Sequence, residues 1–380
     1  MLSQRFSNLI ESFRERLALV TRRSGAPSVL SLETGLLAIS KVYGGVMCLR
    51  RQFYECGVLP SSALPCHVIS IGNIVAGGTG KTPMTVFVAR QLSDMGMRVA
   101  VVSRGYRGTM EVGGGIVSDG GTIYKGPDAA GDEPYLMARL LPGVPVLVGQ
   151  NRHQSGNLAV ERFDSQVIVL DDAFQHLCLQ RDMDIVLLDS QSPLGNGHLL
   201  PRGVLREPPS ALRRARAIVY TRSSRAFAST PMDHWSIMKP TFYASHLQVT
   251  CLPKQGNDPF IRHFEDLSIL EGKHVTAFAG LADTAQFFDS LKRAGCKLDK
   301  TIAFDDHHTY SRADLDRIAS TAKGGHADCL VTTLKDYVKF ESYTHWPMAL
   351  VVVDVTIQLR DRGDLFRRLL VESSIKKIKT

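Results

Sequence analysis

Long uncharged hydrophobic runs are missing from this chain of 380 residues. An apolar segment lies at residues 30–60, but Glu33 and Lys41 divide it into the short runs 34–40 and 42–49. Both runs are well below the ~20 residues that a helix needs to span a bilayer. The N-terminus also lacks the basic, apolar and small-residue regions of a secretory signal. The segment is typical of a helix with apolar and basic sides, which either lies on a membrane or packs on a domain.

Paired cysteines are also missing. The seven cysteines are scattered, and no two of them form a Cys-x-x-Cys motif. This pattern favours neither a disulfide framework nor a zinc site, and it fits a reducing cytoplasm. Internal repeats and low-complexity tracts are absent from the sequence as well. We therefore expect an ordinary globular protein.

Acidic residues are fewer than basic ones, 37 against 45, which gives a net charge of +8. This balance favours an anionic partner, either a nucleotide, a nucleic acid or an anionic lipid. The content of 44% hydrophobic and 22% charged residues is that of a folded chain. A length of 380 residues is enough for two domains.

The most informative stretch runs from Cys66 to Thr82. It begins with an apolar strand pattern, continues through closely spaced glycines, and ends in Lys-Thr before a helical pattern. A glycine loop between a strand and a helix N-terminus binds phosphate through backbone N–H groups. The strict spacing G-x-x-x-x-G-K-[ST] fails because Val75 stands at its first position. We interpret the stretch as a variant nucleotide-binding loop, in which Lys81 reaches the phosphates and Thr82 binds magnesium.

Strand patterns alternate with helical patterns from residue 68 to residue 220. This alternation predicts a P-loop NTPase-like α/β fold with a doubly wound, mostly parallel sheet. Prolines punctuate residues 223–270, and a second strand–helix series follows. We therefore predict an N-terminal extension and helical segment at 1–60, a core domain at 61–240, and a smaller α/β domain at 241–380.

Several acidic residues stand where a nucleotide enzyme would use them, although each has a simpler interpretation. Asp171 and Asp172 end a predicted strand, where they either bind magnesium or only form a turn. Asp132 and Glu133 begin a helix, where carboxylates often act as caps. The pair Arg206-Glu207 serves either a metal site or a surface ion pair. The run Asp306-His307-His308 fits a metal site or a polar loop.

Taken together and in order, eight motifs resemble the tetraacyldisaccharide 4'-kinase family, the lipid A 4'-kinases. Each motif is weak by itself, but the ordered set is specific and covers residues 35–370. The motifs are Gly77–Pro83 (GGTGKTP), Ser103–Tyr106 (SRGY), Gly131–Pro134 (GDEP), Leu170–His176 (LDDAFQH), Gly195–Pro201 (GNGHLLP), Leu205–Pro208 (LREP), Asp306–His307 and Thr333–Lys339 (TLKDYVK).

The resemblance implies an enzyme that uses ATP and Mg²⁺. Such an enzyme transfers the γ-phosphate to the 4'-hydroxyl of an acylated glucosamine disaccharide 1-phosphate. It also implies a peripheral or monotopic protein, attached through its N-terminal segment to the cytoplasmic face of the bacterial inner membrane. The expected partners are the lipid substrate and an anionic membrane surface, and no nucleic acid. A plant organellar relative stays an alternative if residues 1–30 are a cleaved extension.

The resemblance also implies roles for individual residues. Asp132 and His307 would form a catalytic acid–base pair, assembled over ATP by domain closure, and Lys81 would neutralise the transferred phosphate. Arg104 and Arg206 could stabilise phosphate charge. The expected metal ligands are Thr82, Asp171, Asp172 and Glu207, with His176 and Glu133 nearby. The expected ATP-binding residues are Gly77, Gly78, Thr79, Gly80, Lys81, Thr82 and Pro83.

Two other functions compete with this interpretation. A membrane-associated ATPase switch of the partitioning type also has a short GG-x-GKT loop. It carries a signature lysine before the two glycines, where this chain has Ala76. The second alternative is a binding protein with a degenerate site. Degeneracy is not indicated, because every proposed catalytic residue is present.

Overall fold

The computed structural model describes residues 32–223, 239–252 and 261–378. The predicted extension at 1–30 and much of the proline-rich stretch at 223–270 lie outside the described residues. The chain divides into two compact units, and neither is continuous in sequence. The first unit draws on residues 1–81, 170–245 and 359–380, and the second on 82–169 and 246–358. The boundaries at 60 and 240 stay a prediction.

The strands are built mainly from short apolar runs. In chain order they are β1 (His67–Asn73), β2 (Val99–Ser103), β3 (Gly115–Ser118), β4 (Val146–Val148), β5 (Val167–Leu170), β6 (Met183–Asp189), β7 (Ala217–Thr221), β8 (Thr241–Leu252), β9 (Ile261–Asp266), β10 (His274–Ala279), β11 (Lys297–Ala303), β12 (Cys329–Thr333) and β13 (Leu350–Leu359).

The α-helices alternate with these strands over most of the chain. They are α1 (Leu32–Glu55), α2 (Lys81–Asp94), α3 (Pro127–Ala130), α4 (Asp132–Leu140), α5 (Arg152–Phe163), α6 (Thr284–Arg293), α7 (Arg312–Lys323), α8 (Leu334–Tyr337) and α9 (Gly363–Ile378). Short 3₁₀ turns occur at Pro209–Arg214 and Leu267–Leu270.

In the first unit, β1, β6, β7 and the start of β8 lie side by side and pair in parallel. Every residue of β1 is buried. Burial on both faces explains why these strands are rich in apolar residues, since both sides of a parallel sheet are usually covered. One core of this unit forms around Phe174, Val186 and Ile218.

In the second unit, β5, β2, β4 and β3 are neighbours in that order. The pair β2–β4 is parallel and the pair β3–β4 is antiparallel. The same unit contains four further strands, which are neighbours in the order β11-β10-β12-β13 and all pair in parallel. Its core contains Val275, Leu291 and Val331. The predicted mostly parallel α/β fold is therefore confirmed.

Helix α1 exposes apolar side chains in a stripe. Leu36 and Ser40 are buried against the first unit. From residue 39 onward, the exposed large apolar residues of the helix recur every three or four positions, so they share one face. We call them the α1 stripe: Ile39, Val42, Val46, Leu49 and Phe53, which are 39–69% exposed. By length and composition alone the helix could cross a membrane, and 11% of its most apolar 18-residue window is buried.

Candidate active site

The predicted phosphate-binding loop joins β1 to α2. Gly77 and Gly80 have φ angles of 121° and 83°, a region that favours glycine. Lys81 is the first residue of α2, so the loop leads directly into a helix N-terminus. Val75 occupies the position where the strict pattern has glycine. It is buried and bridges Leu205, which explains why an apolar residue stands there.

Three side chains from other segments of the first unit hold this loop in shape. Asn73 Nδ2 donates a hydrogen bond to Thr79 Oγ1 at 2.9 Å. Thr221 Oγ1 donates to the carbonyl oxygen of Thr79 at 2.9 Å, and Arg222 donates to that of Gly78 at 2.6 Å. These supports were not predicted from the sequence. The only sequence signal for these hydrogen bonds is that Thr221 and Arg222 stand at the end of a predicted strand, where ligands bind in open α/β sheets.

Lys81, Asp172 and Arg206 form a charged group beside the loop. The Lys81 ammonium lies 3.7 Å from Asp172 Oδ2. Arg206 Nη1 donates to both oxygens of Asp172, at 3.3 Å and 3.2 Å. We call Gly77–Lys81, Asp172 and Arg206 the loop cluster. It brings two cations and one carboxylate to the phosphate-binding loop.

Glu207 lies in a buried ion pair. Arg214 donates to both oxygens of its carboxylate, at 2.9 Å and 3.1 Å, and Gln175 Nε2 donates to Oε1 at 3.0 Å. The neighbouring Asp171 is buried, with 2% of its surface exposed. The metal-binding roles of Asp171, Asp172 and Glu207 stay predictions.

Carboxylate oxygens are the ligands that Mg²⁺ prefers, and an ion that accompanies ATP is usually held by one or two carboxylates together with phosphate oxygens. Among residues 32–223, 239–252 and 261–378, no three His, Cys, Asp or Glu side chains are grouped to hold a metal alone. The partly exposed Asp172 in the loop cluster fits an ion that arrives with the nucleotide.

A second group of charged residues lies in the second unit, where Asp132 begins helix α4. Gly131 precedes it with φ 89°, and a Cβ there would lie 2.8 Å from the Tyr106 carbonyl oxygen. Glycine is therefore required before Asp132. The Asp132 carboxylate accepts a hydrogen bond from His307 Nδ1 at 3.0 Å and lies 3.3 Å from Lys339 Nζ. We call Asp132, His307 and Lys339 the acid–base cluster.

The contacts of His307 define its tautomer. Lys335 Nζ lies 3.4 Å from His307 Nε2 and 3.1 Å from Asp306 Oδ1. A lysine ammonium only donates, so Nε2 accepts and the ring proton of the neutral form is on Nδ1. Nδ1–H then points at Asp132. The edge of the Tyr106 ring also contacts the imidazole, with centroids 5.9 Å apart.

The environment of Asp132 favours its ionised form. Burial by itself would raise the pKa of this carboxyl. The hydrogen bond from His307 and the charge of Lys339 act together in the opposite direction and hold the pKa below its ordinary value. Asp132 is therefore a carboxylate at neutral pH.

Two expectations change at this cluster. Asp132 and His307 belong to one unit and are already hydrogen-bonded, so domain closure is not needed to form the pair. No role was predicted for Lys339, the last residue of the motif Thr333–Lys339, yet its ammonium contacts the Asp132 carboxylate directly. Its spacing of three from Asp336 was the only signal in the sequence.

Other predicted residues lie in different surroundings. His308 Nε2 contacts Asp314 Oδ2, a residue of the capping box of α7, at 3.2 Å. Arg104 is half exposed and pairs with Glu111 at 2.6 Å. His176 Nε2 lies 3.1 Å from Cys178 Sγ. Thr82 and Pro83 are in the first turn of α2, and Glu133 follows Asp132 in α4.

A glycine loop after a buried parallel strand, with a lysine at the next helix N-terminus, is typical of α/β proteins that bind nucleoside triphosphates. The family model described as "Tetraacyldisaccharide-1-P 4'-kinase" matches residues 32–373. The chain belongs to this family. The predicted family is thereby confirmed.

Individual relatives agree with the family match. The tetraacyldisaccharide 4'-kinase of Desulfatibacillum aliphaticivorans is 41% identical over 355 residues, which are 92% of this chain and 95% of that protein. The enzyme of the same name from Geobacter metallireducens is 44% identical over 81% of this chain and 89% of its own length.

A solved structure is similar as well. It is LpxK from Aquifex aeolicus, an "apo" form in complex with ATP. It is 32% identical in sequence and has a TM-score of 0.71. The match covers 90% of this chain and 99% of that chain.

Proposed function

We propose that this protein transfers the γ-phosphate of ATP to the 4'-hydroxyl of tetraacyldisaccharide 1-phosphate, forming the 1,4'-bisphosphorylated lipid A precursor lipid IVA. The match to the 4'-kinase family over residues 32–373 carries this proposal. The two clusters support it, because one supplies a phosphate-binding loop and the other a carboxylate paired with an imidazole.

The loop cluster is assigned to the nucleotide. Backbone N–H groups of Gly77–Lys81 would bind the phosphate oxygens, and Lys81 would neutralise charge on the transferred group. Asp172, with Thr82 and Asp171, would hold the Mg²⁺ that accompanies ATP. Arg206 would stabilise phosphate charge once the anionic nucleotide competes with Asp172 for its guanidinium group. Glu207 would keep this segment in position through Arg214.

The acid–base cluster is assigned to the sugar hydroxyl. During transfer, the hydroxyl oxygen forms a bond to the γ-phosphorus while the bond to the bridging β–γ oxygen breaks, and ADP leaves with that electron pair. The hydroxyl proton passes to Asp132. His307 donates Nδ1–H to Asp132 and thereby orients it.

The α1 stripe would hold the enzyme at the membrane that contains its lipid substrate. An acylated disaccharide stays in a membrane, so the enzyme must work at the bilayer surface. We assign the stripe to the acyl region of the leaflet, with Lys41, Arg50 and Arg51 close to anionic headgroups. The protein would then be a peripheral or monotopic protein on the cytoplasmic face of the inner membrane, where ATP is available.

Phosphate transfer from labelled ATP, measured in mixed micelles with Mg²⁺, tests the assignment. We expect the wild type to label the lipid. Asp132→Ala and His307→Ala should lower kcat by about 10²–10⁴-fold, which is the usual contribution of acid–base groups. Lys81→Ala should abolish transfer, because the transferred phosphate then lacks its cation.

The matched controls are Lys292→Ala and Asp289→Ala, which alter an ion pair whose side chains are 61% and 64% exposed. Both controls should retain wild-type activity. A wild type that releases phosphate to water without labelling lipid would support the ATPase switch instead. Normal kcat in His307→Ala would refute the acid–base pair.

A further inference from the structure

Lys339 is an almost fully buried cation with three acceptors around it. Its side chain is 6% exposed. Its Nζ lies 3.3 Å from Asp132 Oδ2, 3.4 Å from Asp336 Oδ1 and 3.2 Å from the His308 carbonyl oxygen. An ammonium has three N–H donors, so each acceptor can receive one. Lys339 therefore holds one fixed position between two carboxylates.

Asp336 anchors this lysine. Its side chain is completely buried, and its Oδ2 accepts from Gly280 N at 3.0 Å and from Thr333 Oγ1 at 2.7 Å. A Cβ on Gly280 would lie 3.1 Å from Asp336 Oδ1, so glycine permits this close approach. Gly280 follows β10 and Thr333 ends β12. The sheet of the second unit thus fixes Asp336, and Asp336 fixes Lys339.

The two contacts of Asp132 fall on the same oxygen. His307 Nδ1 and Lys339 Nζ both meet Oδ2, at 3.0 Å and 3.3 Å. Two donors on one oxygen fix the rotation of the carboxylate. We propose that Lys339, anchored by Asp336, is a positioning residue that keeps Asp132 ionised and presents its Oδ1 to the sugar hydroxyl. This inference rests on the proposed kinase function.

The chemistry of transfer explains the need for such a cation. A buried carboxyl without a neighbouring positive charge tends to stay protonated, and a protonated Asp132 could not accept the hydroxyl proton. Lys339 opposes this tendency while leaving Oδ1 for the proton. Among the described residues, the other charged and titratable residues around Asp132 and its two partners are Tyr106, Arg107, Glu133, Asp306, His308, Tyr310, Lys335 and Asp336.

The direct test is the pH dependence of kcat/KM for the lipid in Lys339→Met, with Lys292→Met as the control. An opposite charge within ~4–6 Å lowers a carboxyl pKa by roughly 1–3 units, so removing it should move the acid limb of the profile to higher pH. We expect the acid limb to move up by roughly 1–3 pH units, so that the loss is several-fold near pH 5 and much smaller near pH 9. Lys292→Met should follow the wild type throughout.

The variant Asp336→Asn removes a negative charge near Asp132, whereas Lys339→Met removes a positive one. Its control is Asp289→Asn. Asp336→Asn takes away the second negative charge near Lys339, so the acid limb should stay in place or move to lower pH. The double variant Lys339→Met/Asp336→Asn leaves no uncompensated charge at Asp336 and should behave like Lys339→Met. Damage to the fold alone would instead lower activity in all three variants at every pH.

Titration of Asp132 by carboxyl ¹³C NMR separates this inference from the proposed function, because it does not require turnover. A raised Asp132 pKa in Lys339→Met or in the double variant supports the positioning role, even if the wild type phosphorylates no lipid. An unchanged Asp132 titration and an unshifted acid limb in the folded double variant would overturn it, even if the wild type is active.

Discussion

Strained backbone marks both clusters at the scale of single residues. Among the described residues, six other than glycine have positive φ, and four of them serve the candidate site. Asp172 (φ 44°) and Arg222 (φ 55°) belong to or support the loop cluster. His307 (φ 60°) and Arg107 (φ 64°), which donates to the Asp306 carbonyl, lie at the acid–base cluster. Such a conformation costs roughly 1–2 kcal/mol per residue and persists where surrounding contacts hold it.

The pKa of Asp132 leads to a prediction about stability. The folded-state pKa lies below that of the unfolded chain, so ionised Asp132 stabilises the fold above the unfolded pKa of about 3.9. This contribution is lost as the pH falls through the folded-state pKa. Asp132→Asn should therefore lower the melting temperature most at pH 6–7, and the difference from wild type should shrink below about pH 4.

The control for this measurement is Asp289→Asn, whose side chain is 64% exposed. Its melting temperature should follow the wild type at every pH, because the carboxylate is solvated in both states. A difference between Asp132→Asn and wild type that is constant from pH 3 to pH 7 would contradict the ionised pairing of Asp132.

At the scale of elements, apolar runs were the reliable guide. Between residues 68 and 220, where strand patterns predicted a sheet, the apolar runs at Val167, Asp184 and Ala217 form β5, β6 and β7. Strand β11 was missed because five of its seven positions are exposed and none is buried, so it offers no apolar run. Helices α5, α7 and α9 were not predicted either. Their sequences interleave charged and small residues, so packing rather than a strong apolar pattern specifies them.

The α1 stripe carries the prediction for membrane binding. Val46→Asp and Ile39→Asp place a carboxylate in the face assigned to the leaflet, and burying an unpaired charge there is costly. Both variants should lose most of their co-sedimentation with vesicles that contain anionic phospholipid. They should retain ATP binding, since the substituted side chains are more than half exposed and neither belongs to the loop cluster.

Val112→Asp is the matched control, because Val112 is 82% exposed and lies outside α1. It should sediment with vesicles like the wild type. If Val46→Asp also does so, the stripe does not bind the membrane, and another surface must bring the enzyme to its lipid.

At the scale of the whole molecule, each cluster combines residues that are far apart in sequence. Asp132 and His307 are separated by 175 positions, and Lys81 and Asp172 by about 90. Composition and periodicity contain no information about such contacts. The family resemblance predicted the Asp132–His307 pair, whereas the network of Lys339, Asp336 and Gly280 became visible only in the folded chain, because tertiary contacts alone define it.

The central claim is that phosphate is transferred to the 4'-oxygen of the lipid. The most direct measurement is the structure of the product formed from ATP and tetraacyldisaccharide 1-phosphate, determined by mass spectrometry and by ³¹P NMR correlated to the sugar protons. We predict the mass of one added phosphate and a new phosphomonoester that is coupled to the 4' proton. Phosphate found only in the solvent, or coupled to another sugar position, would contradict the claim.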